Sequence, residues 1–313
     1  MSRYPQVTAF AGDAGTIRVV GHRGARGILP ENSMMGFDFA LSIGVDLLEF
    51  DVLLTRDDIP VITHNHEFHG SAVRGPDGAF LNGEHPRVAS LTMAEIERFD
   101  IGRLNADTEY GRRFPDQAQL DGVRVPRLRE LLHLVSQPGY ETACLMLELK
   151  SDPDLARDIK ARENIVSTVC EEVRAAGLTE RTLLHSFDWA LLAECRRQAP
   201  DMPLSFLTQL QDKGHDIGEE SSILVTPDFD NPDISVPDEV SKAGGSLWCP
   251  HFSELQAGDL ARARELGLIV AVWTVNEPHD IDAMIDLRVD AIVTDYPGRL
   301  QRRLSDRGFR WAG

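Results

Sequence analysis

The chain has 313 residues, of which 50 are Asp or Glu and 32 are Lys or Arg, giving a formal net charge of −18. At 42% hydrophobic and 26% charged residues the composition is globular, and the length is ample for a large core built as one big domain or two small ones. Such acidity repels nucleic-acid phosphates and anionic lipid headgroups, which excludes unspecific binding to either, but not a small phosphate-bearing substrate held by a local cation.

The N-terminal stretch MSRYPQVTAFAGDAG has no apolar leader core, and no run reaches the ~20 apolar residues of a membrane span. A soluble, cytoplasmic protein without stable membrane association is expected. Apolar, strand-like runs fall at 17–22, 46–54, 144–150, 181–186, 203–208, 245–250, 268–274 and 290–295. They are near-continuous rather than alternating, as in buried parallel strands. Amphipathic segments at 34–43, 155–176, 188–198, 257–266 and 279–287 fit crossover helices between them. Phrases such as SIGVDLLEF and ELGLIVAV, in which glycine ends a helix before a strand, repeat along the chain. Strands and helices in alternation predict an α/β fold, a (β/α)8 TIM barrel.

One interval breaks the rhythm: roughly 90 residues lie between the second and third strand runs. It holds a hairpin at IPVITHN, a Gly/Pro-rich loop, a short helical signal at LTMAEIERFD and a helix at LRELLHLV. Residues 66–122, approximately, are expected to form an insertion after the second strand, over the C-terminal face of the barrel where functional loops gather. No low-complexity linker divides the chain, so 1–313 reads as a single domain with an insertion. Cys144, Cys170, Cys195 and Cys249 are spread without a C-x-x-C pair and read as reduced thiols.

Four clusters carry chemistry. GHRGARGILPENS puts His22 and Arg23 at the end of the first strand, with Glu31 and Asn32 in the loop that follows. Arg23 suits an anionic oxygen through its fixed guanidinium donors, and a structural salt bridge equally well when read alone. In LLEFDVLL, Glu49 and Asp51 share one face of an apolar strand, where two carboxylates are costly unless a cation or basic groups neutralise them. LMLELKS repeats the device with Glu148 and Lys150, which taken alone is also a plain buried ion pair. Together, Glu49, Asp51 and Glu148 make an oxygen-only site suited to one divalent cation, Mg²⁺ or Ca²⁺, leaving Lys150 free to face a phosphate. ITHNHEFH carries His64, His66 and His69. Its H-x-H pair falls after the hairpin rather than at the first strand, which disfavours an amidohydrolase-type metal pair and leaves solvated loop polarity as the plain reading.

Taken in order, HRGARGILPENS, GVDLLEFDVLLTRDDIPVITHN, VPRLRELL, LMLELKS, HSFDW, VAVWTVN and VDAIVTDYP closely resemble the glycerophosphodiester phosphodiesterase family, over roughly residues 18–305. The resemblance implies a TIM barrel with an insertion between the second strand and its helix, matching the long interval. It implies that Glu49, Asp51 and Glu148 bind one divalent cation, with Glu31 and Asn32 in support, and that His22 and His64 form the general acid/base pair. Arg23 and Lys150 would hold phosphate oxygens, Trp273 would pack against the glycerol or the leaving group, and Asp295 would have a structural or supporting role. The implied reaction releases glycerol 3-phosphate from a small glycerophosphodiester: the glycerol 2-hydroxyl attacks phosphorus, and water opens the resulting cyclic phosphate. Asn65 follows His64 where the family commonly has Asp, which touches the basicity of His64. Related readings are a phosphodiesterase acting on lysophospholipids or cyclic phosphates, or a barrel that binds phosphodiesters without cleaving them; retention of both histidines and all three acidic residues disfavours the last.

Overall fold

The computed structural model describes residues 4–83, 85–151, 157–209, 227, 231 and 234–311. Eight parallel strands, β1 (Arg18–His22), β2 (Leu47–Leu54), β4 (Cys144–Leu149), β5 (Thr182–Ser186), β6 (Leu204–Thr208), β7 (Leu247–Pro250), β8 (Ile269–Val272) and β9 (Ala291–Thr294), pair in sequence, and β1 pairs with both β2 and β9 to close the barrel. β3 (Pro60–Ile62) lies antiparallel on β2, so IPVITHN is the return arm of a hairpin. All eight expected strand runs are present, each trimmed by one to several residues. The strand with both faces buried has no alternation to mark where it ends.

The pleat explains the two-sided burial. Leu48, Phe50 and Val52 point outward into the layer between barrel and helices, where Phe37 of the helix Met34–Ser42 meets Phe50 edge-on at 5.9 Å. Leu47, Cys144 and Met146 point inward and form one packed interior with Val20, Leu247 and Ala291. Val7 and Phe10, on the short helix Pro5–Phe10, join that interior cluster, and the helix packs against β5 and β8. Two residues further along β2 and β4, the inward positions become Glu49, Asp51 and Glu148. The barrel is therefore apolar inside along most of its length and acidic towards the carboxyl ends of its strands.

The helix Ile159–Ala175 starts on Asp158, whose carboxylate accepts from the Lys160 and Ala161 amides, and Asp188 caps Trp189–Gln198 in the same way. The first residues of the helical segment expected at 155–176 lie outside the described residues. Helices Val236–Lys242 and Pro297–Asp306 were not marked by the amphipathic reading. The first has only two buried residues, and the second begins on a proline separated by two residues from the end of a buried strand. In the long interval, short helices Met93–Ile96 and Glu109–Arg113 and a separate apolar cluster around Phe68, Ile96 and Phe99 precede the helix Leu128–Val135. The four cysteines are buried free thiols. Among the described residues, no helix is long and apolar enough to cross a membrane.

Candidate active site

The strand registers bring the predicted residues together. His22 pairs with Glu49 across β1 and β2, Asp51 pairs with Glu148 across β2 and β4, and Glu148 pairs with His185 across β4 and β5. Glu49, Asp51 and Glu148 each present an oxygen within 4.8 Å of the others, the one such group of three among the described residues. The histidines of ITHNHEFH are not part of it, so the amidohydrolase-type reading gains no support.

Three buried carboxylates at this distance cannot all ionise cheaply. Burial, with Asp51 and Glu148 beside it, pushes Glu49 well above the usual carboxylate range. Burial pushes Glu148 up to about 7, with Asp51 adding to the rise and Lys150 opposing it. Burial acts on Asp51 in the same direction, but Arg23, His64 and Lys150 together with the Asn32 amide hold it well below. Asp51 is thus the anchor of negative charge, and its neighbours share the repulsion.

Both predicted phosphate-holding cations are engaged with these carboxylates. Lys150 Nζ donates to Glu148 Oε1 at 2.9 Å and stands 3.6 Å from Asp51 Oδ1, so it is not the free point charge that the sequence suggested. Arg23 donates to Glu31 Oε1 at 2.8 Å, lies 3.3 Å from Asp51 Oδ2, and offers its backbone amide to Glu49 Oε2 at 3.1 Å. The structure thus bears out the salt-bridge reading of Arg23. The loop that delivers it is strained: Arg23 and Asn32 adopt left-handed φ of 48° and 52°. Gly24, at φ +85°, sits where a Cβ would come within 2.7 Å of the Gly36 carbonyl carbon, so the loop can pack against the helix Met34–Ser42 only with glycine there.

The two catalytic candidates differ in their backing. His22 is buried, its Nδ1 is 2.7 Å from Asp295 Oδ1, and its Nε2 is 3.7 Å from Glu49 Oε2. Burial lowers it to about 4, against the pull of Asp295. His64 is half-buried, and its Nδ1 meets Asn65 Oδ1 at 2.6 Å. Burial, and then Arg23 and Lys150, push His64 well below its ordinary value. Asn65 thus replaces a carboxylate with a neutral acceptor behind the ring. Trp273, just beyond β8, donates from Nε1 to the Cys249 carbonyl at 3.0 Å and stands edge-on to Phe187 and His251, forming an aromatic wall. Asn32 donates to Asp51 Oδ2 at 2.9 Å.

Several neighbours were not singled out from the sequence. Arg26 grips both oxygens of Asp295 at 2.8 and 3.0 Å, and Asn276 Nδ2 donates to Asp295 Oδ2 at 2.6 Å. Tyr110, from the interval between β3 and the helix Leu128–Val135, donates to Glu31 and lies 3.5 Å from Arg26. His185, fully buried and lowered to about 3 by burial, contacts Ser205 Oγ at 2.8 Å. Arg26 and His185 lay in motifs already noted, at strand ends that a barrel turns towards its site. Tyr110 carries no local signal.

A sequence profile of the glycerophosphoryl diester phosphodiesterase family matches residues 22–299. A glycerophosphodiester phosphodiesterase of Caldanaerobacter subterraneus subsp. tengcongensis is 25% identical over 284 residues, spanning 90% of this chain and 95% of its own length. A human lysophospholipase D is 21% identical over 304 residues, spanning 90% of this chain and 84% of its own. Among solved structures, a chain assigned as a glycerophosphoryl diester phosphodiesterase from Silicibacter pomeroyi superposes with a TM-score of 0.93 at 49% identity, covering 99% of this chain and 100% of that one. An Oleispira antarctica phosphodiesterase in complex with the product sn-glycerol-3-phosphate shares the fold, with a TM-score of 0.69 at 19% identity over 96% of this chain and 99% of its own.

Proposed function

Since the chain belongs to the glycerophosphoryl diester phosphodiesterase family, and is an enzyme of that kind, we propose that it hydrolyses small glycerophosphodiesters to glycerol 3-phosphate and an alcohol, using His22 and His64 for proton transfer beside a divalent cation. The observation that carries this reading is the meeting of Glu49, Asp51 and Glu148 with His22, Arg23 and Lys150 at the carboxyl ends of β1, β2 and β4. A binder that never cleaves has no use for two imidazoles beside such a cluster.

The donor set fits a hard cation such as Mg²⁺ or Ca²⁺, because it is all carboxylate oxygen and because burial first, and the neighbouring carboxylates second, make the charged forms of Glu49 and Glu148 costly until a cation neutralises them. Glu49, Asp51 and Glu148 would hold it, and when bound it would draw charge from the phosphoryl oxygens. Arg23 and Lys150 supply fixed positive charge for the same oxygens. His22 Nε2 takes the proton of the attacking glycerol 2-hydroxyl, because the Asp295 carboxylate behind Nδ1 stabilises the imidazolium. The 2-oxygen bonds to phosphorus as the bond to the leaving alcohol breaks, and His64 returns a proton to that alcohol. Burial, and then Arg23 and Lys150, disfavour the imidazolium of His64, and an anionic phosphodiester beside the two cations offsets their part of that effect. Water then opens the cyclic phosphate with the proton roles reversed. Trp273, with Phe187 and His251, offers the apolar wall for the glycerol carbons.

Similarity to lysophospholipase D supports a second reading, in which the diester carries an acyl chain. One assay tests both: release of glycerol 3-phosphate or of the free headgroup from a panel of glycerophosphodiesters and lysophospholipids, with EDTA, and with Mg²⁺ or Ca²⁺ restored. Cation-dependent turnover of the glycerophosphodiesters is expected. No turnover of any of them overturns the proposal, and turnover insensitive to EDTA removes the cation from it.

A further inference from the structure

The long interval between β3 and the helix Leu128–Val135 reaches the site through Tyr110. Its hydroxyl donates to Glu31 Oε2, while Glu31 Oε1 accepts from Arg23 Nη1 at 2.8 Å. The two oxygens of one carboxylate are thus held from two different parts of the chain. Burial, and Glu31 beside it, push the Tyr110 phenol above its usual range, so it keeps the proton that it donates.

The segment that carries Tyr110 is itself fixed in place. Thr108 Oγ1 accepts from the Gly111 amide at 3.0 Å and donates to the Asn105 carbonyl at 2.7 Å, which caps the helix Glu109–Arg113. A Cβ on Gly111 would run into the Asn105 carbonyl oxygen, so the turn closes this tightly only with glycine there. The Tyr110 ring stands edge-on to Phe114 at 5.6 Å, and the Arg26 guanidinium lies 4.5 Å over the Phe114 ring. Gln117 Nε2 donates to the Arg26 carbonyl at 2.7 Å, and the Ala118 amide to the Ile28 carbonyl at 2.9 Å. Residues 108–118 are therefore laid along the β1 loop, on the side away from Lys150 and β4 that the cation cluster does not brace.

Arg23 stands between two carboxylates, 3.3 Å from Asp51 Oδ2 and 2.8 Å from Glu31 Oε1. A cation held by Asp51 would compete with Arg23 for that carboxylate, and Glu31 would then be the partner that keeps the guanidinium at the site. A glutamate on a loop has rotamer freedom to lose, and it holds an arginine in one orientation best when its second oxygen is fixed as well. We propose that Tyr110 is a positioning residue of the phosphodiesterase reaction, which fixes Glu31 and so keeps Arg23 aimed at the phosphate oxygens. The inference rests on the proposed function, which gives Arg23 that task. It also gives the long interval a use in the reaction, although none of the acid–base or cation-binding candidates lies in the segment 108–118.

The test is a cycle of Tyr110→Phe, Glu31→Gln and the double variant, in the full-length, cation-loaded enzyme acting on glycerophosphocholine and glycerophosphoethanolamine. Tyr110→Phe keeps the ring against Phe114 and removes only the hydroxyl, so thermal melting should stay near wild type. Its kcat/KM is expected to fall by between about tenfold and a hundredfold, as for a misplaced positioning group. The loss should lie mainly in KM, because Arg23 meets the phosphate already in the bound diester, and the Ki of glycerol 3-phosphate should rise with it. On the Glu31→Gln background the same change should cost little more, since the partner through which Tyr110 acts is already altered. Cation affinity by titration calorimetry should match wild type in Tyr110→Phe. A wild-type KM in Tyr110→Phe, an equal loss on both backgrounds, or a loss of cation affinity overturns the inference while leaving the phosphodiesterase intact. Absence of turnover by the wild type on every diester overturns the proposed function, and this inference with it.

Discussion

Asp295 Oδ1 stands 2.7 Å from His22 Nδ1, joining the end of the last barrel strand to the end of the first. An ionised carboxylate only accepts hydrogen bonds, so Nδ1 carries the ring proton and Nε2 is left as the acceptor facing the site. Arg26 and Asn276 occupy the remaining acceptor sites of Asp295, and Arg26 and His22 hold it well below the usual carboxylate range despite its burial.

Asp295→Asn places an amide behind His22 and disturbs the tautomer. Its kcat is expected to fall by about a hundredfold or more, within the range that positioned acid–base groups contribute. KM should change little, because Asp295 touches no group proposed to hold the phosphate. Steady-state kinetics of the folded variant check this, and an unchanged kcat would remove Asp295 from the positioning of His22.

His22→Ala and His64→Ala are each expected to abolish turnover, with thermal melting near wild type and a retained response to added cation. The carboxylates proposed to bind the cation are untouched in both. A near-normal rate in either variant takes that histidine out of the mechanism.

Cation binding should depend on pH through Glu148. Its acid form persists up to about 7 in the folded protein against 4.5 ordinarily, because of burial. In that interval the folded chain holds a proton that the unfolded chain has lost. The contribution of this group to cation-free stability is therefore present at low pH and is lost as pH rises through about 7. A cation must displace that proton, so affinity should weaken by up to about tenfold per pH unit below 7 for each proton released. Titration calorimetry across this range reads the proton release directly, and a flat affinity would contradict the assignment. The rise in Tm on adding Mg²⁺ or Ca²⁺ should accordingly be larger above pH 7 than below it.

Phe50 tests the outer face of the same strand. It is fully buried against Phe37, and Phe50→Ala is expected to cost about 3–5 kcal/mol, read as a lower midpoint in urea. Glu49 and Asp51 point to the opposite face, so the response to cation should survive in the fraction that remains folded.

The local pattern determined much of this protein. Near-continuous apolar runs marked all eight barrel strands, and the two-residue repeat put Glu49 with Asp51 and Glu148 with Lys150 on shared faces. That legibility has a local cause: a strand's pleat assigns each residue its side from spacing alone. Strand order and register lay beyond it. Only the pairing of β2 with β4 set Asp51 opposite Glu148 and within reach of Lys150, and only closure of β1 on β9 brought Asp295 behind His22. Tyr110 and Gln117 reach the β1 loop across more than 70 residues of chain, from an interval whose sequence carries no periodicity to predict its path. The net charge of −18 was equally silent on its own division. Composition counts carboxylates, but only packing decides which are stripped of water and pressed together, and there three of the 50 gain a use for a cation.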